Sequence, residues 1–474
     1  MTLALRRSFT SLAVPNYRRY FFGQVVSISG NWMQTVAEMW LVVQLTGSGL
    51  AVGLTAGLQF LPILVLGAWG GVLADRRDKR RLLKVTQALM ALPALTLWAL
   101  TLGGSVEIWM VFALVLARGT VLAIDNPARQ AFVSELVGDS RVVNAVSLNS
   151  VVVHTSRIVG PAAAGVVIAV LGVGPCFLLN ALSYGAMLIA LSRMEPGRLF
   201  RSRRATAGRG QVRAALAEVR RRPELRIPLG MMVVVGTLSF NFQVLLPLFA
   251  RFTWDGTAAA YAILTSSMGI GSVTGALLAG ARNRVSPALL VVSSAVFGLA
   301  SLAAAAAPTL PLQVAALVPL GAASVTFAAG VNSSLQLAAG EALRGRVMAL
   351  YSVVFLGSTP IGAPIVGWLA GVADPRAGLV LGGVAALAAA AWAALAYARA
   401  DVTVGVGGLP WRPARQALRD VDASTSTLGD ATWASGPIPT HATTPATSGC
   451  TSPRGRSSSR RLRRLSRSGD APGA

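Results

Sequence analysis

Three observations predict an all-α membrane protein with twelve transmembrane helices in two six-helix repeats. Only 13% of the 474 residues are charged and mean hydropathy is +0.61, whereas a soluble domain carries about 25% charged residues. Apolar stretches of ~20 residues, enough to cross ~30 Å of hydrocarbon at 1.5 Å per residue, recur along the chain. Cations collect at alternate junctions between those stretches, the pattern of a polytopic protein with one cytoplasmic face.

In chain order, an arm over residues 1–19 carries Arg6, Arg7, Arg18 and Arg19. Without an apolar core and a small-residue cleavage site it does not read as a cleavable signal peptide. Spans follow near 20–44, 50–73, 82–102, 107–128, 142–171, 174–192, 227–250, 258–280, 288–306, 311–338, 347–370 and 377–398. Gly and Pro interrupt them, which transmembrane helices tolerate because neighbours satisfy the freed backbone groups. The Arg-rich segment 193–226 separates a first half, 20–192, from a second, 227–400. Within it Ala214–Arg220 reads equally as an amphipathic surface helix or a solvated linker. Residues 401–474 are rich in Ser, Thr, Pro and Arg and cannot bury a core. They are expected to form a disordered basic tail whose Arg460–Arg467 cluster can rest on anionic lipid.

The two ends and the even-numbered junctions hold 38 of the 42 Lys and Arg, which places both termini in the cytoplasm. A weak internal repeat agrees with the six-plus-six division. Asn126–Gln130 parallels Asn332–Gln336, and Ser150, Gly160 and Gly165 lie 202 residues before Ser352, Gly362 and Gly367.

Composition also excludes. A net charge of +24 in a soluble chain points to nucleic acid, but here the positive-inside rule and membrane lipids account for it, and no nucleic-acid partner is expected. Cys176 and Cys450 fall on opposite sides of the membrane in this topology, so no disulfide is expected. His154 and His441, the only histidines, lie in unrelated regions, so no metal site and no cofactor are expected. Gly269-Ile-Gly271-Ser-Val-Thr-Gly275 imitates a dinucleotide loop but follows no strand; Gly271 and Gly275 read as a helix-packing face. No phosphate loop, Gly-x-Ser-x-Gly elbow or His-Glu-x-x-His pair is present, which disfavours an enzyme.

Four places carry chemistry. Between spans two and three stands a cationic turn with Gly71, Asp75, Arg76, Lys79 and Arg80. Gly71 lets span two lie close to a neighbour, and Asp75, at a helix end, pairs with Arg76 or Lys79 or meets the N-terminus of another helix. Arg118 lies mid-span, where a charge costs ~2.5–3.5 kcal/mol and faces the bundle interior with a partner. Asp125 is two turns further along the same face. Ser156–Gly165 contains Gly160, Pro161 and Gly165, which bend the helix and permit close packing, with Arg157 one turn ahead and His154 one turn earlier. Glu38 is the sole acid of span one and, with Asn31 and Gln34, makes a polar stripe on one helical face. A lone buried carboxylate there is a proton-site candidate, although its place toward the outer end also lets it reach water.

The turn's Gly-x-x-x-Asp-Arg-x-x-Lys-Arg pattern resembles the signature between helices two and three of the major facilitator superfamily. Asn16–Gly23, Gly30–Ala37, Asp125–Val133, Asn144–Ser150 and Arg157–Pro161 resemble its transmembrane secretion effector branch, which includes enterobactin exporters and macrolide-type efflux pumps. The resemblance covers roughly residues 15–400. It implies that Asp75 latches against span eleven in the outward-facing state, and that Arg118-Gly119 is linked to proton transfer. It implies that Gly160–Gly165 is the span-five motif of exporters exchanging substrate for protons. The chain departs from the family at Asp78, where glycine is common, and at Gly280–Arg284, which has lost its acid. The implied function is proton-coupled export of siderophores, drugs or other small amphipathic molecules by a monomer in a bacterial cytoplasmic membrane. Arg118, Asp125, Glu38, Asn31, Gln34 and Arg157 are the proton-relay or substrate candidates. The other readings are an importer or lysophospholipid flippase of the same fold, or a non-transporting membrane scaffold or sensor.

Overall fold

The computed structural model describes residues 10–138, 141–200, 211–281 and 285–400. The expectations placed on Arg6, Arg7, the junction 282–284 and the tail 401–474 lie outside those residues. All regular structure among the described residues is helical. A 3-10 turn, Thr10–Ala13, leads into α1 (Pro15–Thr46), α2 (Gly49–Arg76), α3 (Lys79–Leu102), α4 (Ile108–Val137), α5 (Val142–Leu171) and α6 (Gly174–Ser192). Then come α7 (Gln211–Arg221), α8 (Pro223–Leu238), α9 (Phe242–Leu248) with a π-helical turn Phe249–Thr253, α10 (Ala258–Ala281), α11 (Pro287–Ala306), α12 (Leu310–Gly357), α13 (Thr359–Val372) and α14 (Pro375–Arg399).

Eleven stretches among the described residues are long and apolar enough to cross a membrane. The stretch absent from that set is α1. It has 32 residues but carries Arg18, Arg19 and Glu38 together with several buried amides and hydroxyls. Local chemistry sets the ends. Gly47 closes α1 with φ 58°, a left-handed conformation that glycine adopts without a Cβ clash. The Ser48 hydroxyl accepts from the Ala51 amide to start α2, and the Asp78 carboxylate accepts from the Arg81 amide to start α3. Gly340, at φ 63°, breaks α12 between its two spans.

Several expected boundaries shift. Helix α4 continues to Val137, so most of the junction placed at 129–141 is helical, because a helix need not stop where hydrocarbon does. The span placed at 227–250 is interrupted at Ser239–Asn241, and the one at 347–370 at Ser358. The Ala214–Arg220 segment is helical, within α7.

Glycine sets the closest packing. A methyl group at Gly271 or Gly275 would overlap the carbonyls of Val318 and Ala322, so α10 lies directly on the backbone of α12, as a small-residue face predicts. Gly70 and Gly119 hold α2 and α4 together in the same way, against Ala123 and Gln59.

Contacts between the helices before Arg193 and those after Pro223 are unevenly placed. The chain has an arginine-poor end, marked by the junctions near Gly47, Gly172, Gly256 and Asp374, and an arginine-rich end. From the arginine-poor end inward, Gly49 meets Gly367, Gly53 meets Ala363, Gly57 lies against Pro360 and Pro364, and Leu64 reaches Gly357. On the other flank Gly165 meets Ala262, Gly269 lies against Ile158, and Trp40 stacks on Tyr261 with centroids 6.4 Å apart. This seam ends near mid-helix. Toward the arginine-rich end, Gly71 and Gly280 have no neighbour within 4 Å of where a Cβ would stand.

Candidate functional site

The first six helices enclose a buried polar row. On α1 the positions Asn31, Gln34 and Glu38 share a face, as their spacing predicts. Glu38 does not reach water: it is fully buried, and Arg118 of α4 donates to its Oε2 at 2.5 Å. Gln34 donates from Nε2 to Glu38 Oε1 at 2.6 Å and in turn accepts from the Asn180 amide of α6. The Ser183 hydroxyl donates to Asn180 Oδ1 at 2.8 Å. The next residue, Tyr184, donates from its hydroxyl to Asn31 Oδ1 at 2.6 Å.

A second cluster continues from this turn of α6 toward the arginine-rich end. Asn31 donates to the Ser27 carbonyl, and the Ser27 hydroxyl donates to Gln87 Oε1 at 3.2 Å. Gln87 Nε2 and the Thr86 hydroxyl both donate to Asp125 Oδ1, at 2.9 and 2.6 Å, while Arg129 grips Oδ2 through two nitrogens. Arg118 and Asp125 share a helical face but do not pair with each other. Each has its own partner, Glu38 across the helix interface and Arg129 one turn on. Four helices therefore hold two carboxylate–guanidinium pairs in line, in a setting where a lone charge is costly.

The cationic turn is organised differently from the expectation. Lys79 pairs with Glu135 of α4 at 2.6 Å rather than with Asp75, and both partners are largely buried. Arg80 donates to the carbonyls of Leu191 and Ser192, fastening the turn to the end of α6. Asp75 and Arg76 are exposed, and Asp75 forms no ion pair with the described residues. Gly71 makes no close contact.

The Gly160–Gly165 segment lies within an unbroken α5 that contains Pro161. Gly160 packs on Trp32 and the Ser29 carbonyl of α1, and Gly165 on Ala262 of α10, so one motif touches both parts of the chain. The Arg157 guanidinium lies over the Trp32 ring, 5.2 Å from its centroid. The residues that sequence reasoning passed over are Thr86, Gln87, Arg129, Tyr184 and Glu135. Gln87 beside Thr86 inside an apolar span was the available signal for the first two. The i, i+4 spacing of Asp125 and Arg129 was the signal for the third.

The sequence model of the transmembrane secretion effector family matches residues 7–403. The chain is 32% identical over 168 residues to the staphyloferrin A transporter of Staphylococcus aureus, an alignment covering 35% of this chain and 42% of that one. It is 27% identical over 370 residues to the multidrug efflux pump Tap of Mycolicibacterium fortuitum, covering 75% and 89%. Among solved structures, a bacterial homologue of the human lysosomal transporter Spinster, inward-facing and occupied, superposes with a TM-score of 0.63 at 14% identity, covering 81% of this chain and 97% of that one. A family match over most of the chain, with relatives that are transporters and a helical fold of the same kind, makes this a multi-pass membrane protein of the transmembrane secretion effector family of major facilitator transporters.

Proposed function

We propose that the chain is a proton-coupled exporter of siderophores, drugs or other small amphipathic molecules, working by alternating access between two six-helix halves. In this reading α1 is the twelfth span. Its buried Gln24, Ser27, Gln34 and Glu38 bond to α3, α4, α5 and α6 rather than face lipid, which explains how so polar a helix crosses a bilayer. Residues 20–192 and 227–400 are the halves, and 193–226 links them. The arginine-rich end faces the cytoplasm, with both termini, and the protein works as a monomer.

In that orientation the glycine seam is an outer gate and the cleft opens to the cytoplasm. The exposed Asp75 and uncontacted Gly71 fit this state, since their latch belongs to the outward-facing one.

The observation that carries the reading is the pair of carboxylates held in line inside the first half. Protonating Glu38 removes Arg118's counter-charge in a fully buried site, so the two protonation states of this pair favour different helix arrangements. Asp125, gripped by Arg129 nearer the cytoplasm, is the second proton acceptor, and the amides and hydroxyls between hold both in place. The test is substrate accumulation in expressing cells across a panel of dyes, antibiotics and siderophores, with and without a protonophore. Accumulation should fall on expression and recover when the gradient collapses. Glu38→Gln and Asp125→Asn should each cut export at least tenfold. Export that ignores the protonophore, or that survives both substitutions, would reject proton coupling through this row.

A further inference from the structure

We propose that Arg157, stacked on Trp32, is the anion-recognition group of the transport site, and that the substrate carries a carboxylate beside an apolar body. This rests on the transporter reading above. Three other buried cations of the first six helices each have a carboxylate: Arg118 has Glu38, Arg129 has Asp125 and Lys79 has Glu135. Arg157 has none among the described residues, and its Nε is buried without a hydrogen-bond partner.

Helices α5 and α10 contain no acid, and from Leu225 to Gly340 the second half has a single acid, Asp255, in the loop at the arginine-poor end. The spans' own carboxylates are engaged elsewhere. Among the described residues this half-buried guanidinium has no counter-charge, which an anionic ligand would provide.

The geometry suits that role. Arg157 lies where the seam ends: its carbonyl is 3.1 Å from the Cβ position of Gly269 on α10, and two turns outward Gly165 meets Ala262. At this level Arg157, Trp32 and His154 are all partly accessible. A guanidinium held over an indole by its face can still offer in-plane N–H groups to a carboxylate. His154 stands one turn nearer the cleft mouth on the same helix face with Nδ1 buried and unpaired, a second polar group beside the site. The Ser29 and Ser156 hydroxyls, 3.1 Å apart, bridge α1 to α5 at the same level and keep the Trp32 side aligned.

The experiment is a binding titration of the full-length protein in phosphatidylcholine nanodiscs, read by tryptophan fluorescence. The probes are 1-naphthoate and its uncharged amide, 1-naphthamide. Naphthoate should bind at least tenfold more tightly than the amide. Arg157→Gln should abolish that preference while leaving amide binding unchanged, and Arg157→Lys, which keeps the charge without the fork, should give an intermediate ratio and serves should the glutamine variant not fold. Equal affinities in the unaltered protein, no naphthoate binding, or a preference that persists in Arg157→Gln would each overturn the assignment. Loss of naphthoate binding when the discs contain phosphatidylglycerol would assign the site to lipid headgroups and overturn it as well. Binding is read here without transport. An Arg157-dependent anion preference in a protein that exports nothing keeps the site and rejects the exporter, whereas proton-driven export without the preference does the reverse.

Discussion

The helices before Arg193 and those after Pro223 are held together by different means. The first set is threaded by ion pairs: Glu38–Arg118, Asp125–Arg129 and Lys79–Glu135 all lie inside it. The second set has no ion pair among its described residues. Its helices meet through glycine, through an aromatic group of Phe240, Phe242, Phe297 and Phe355, and through hydroxyls that donate to carbonyls of a neighbouring helix. Ser239 donates to Gly382, Ser294 to Ala386 and Ser301 to Leu379. Charge can be switched by a proton and backbone packing cannot. In the proton-coupled reading proposed above, the responsive element belongs to the first set and the second is the surface against which it moves.

The hardest test of that contrast is to remove charge without adding any. Arg118→Ala leaves Glu38 buried and uncompensated, so it should destabilise the protein by ~3–5 kcal/mol, seen as a large drop in thermal unfolding temperature in detergent. Replacing both, Glu38→Gln with Arg118→Met, should restore most of that stability without restoring transport. Recovered transport in the double variant would show that the pair is only structural.

The seam offers a test of similar size on the other side. A leucine at Gly53 would overlap the Ala363 carbonyl and Pro364, so the arginine-poor end cannot close as it does here. Gly53→Leu should lose transport yet keep its fold, and thiols introduced near Gly49 and Gly371 should label faster than in the parent. Unchanged labelling would mean that the seam tolerates bulk and is not a gate.

The smallest effect is expected in the second set. Ser301→Ala removes one hydrogen bond to the Leu379 carbonyl, and should cost ~0.5–1 kcal/mol with transport intact. A loss of transport comparable to that of the Arg118 variants would erase the proposed division of labour.

Much of this arrangement was legible in the chain. Apolar run length located the spans, because hydrocarbon thickness is a fixed ruler. It misjudged ends where a helix runs past its apolar stretch, as α4 does to Val137, and run length alone gave no warning of the breaks at Ser239–Asn241 and Ser358, where small and polar residues interrupt a long apolar stretch. In the site, Gln34 and Glu38 were readable as one face because their relation is local. Arg118 was readable as needing a partner, but its partner is 80 residues away, and no periodicity within a helix reports which neighbour it will face. Asp125 taught the opposite lesson: its partner, Arg129, was local, and attention to the more distant Arg118 obscured it. Gly71 and Asp75 were singled out for a contact that the described residues do not make.

The seam also determines where the protein can be blocked. Gly49, Gly53, Gly367 and Ala363 meet backbone to backbone, with almost no side chain between them. A drug-sized molecule arriving at that joint finds backbone packed on backbone. The accessible groups with directional chemistry, Arg157 and Trp32 among them, are reached from the arginine-rich side. With the orientation proposed above, an inhibitor of this conformation must be membrane-permeant, or be delivered from within the cell, before it can bind at all.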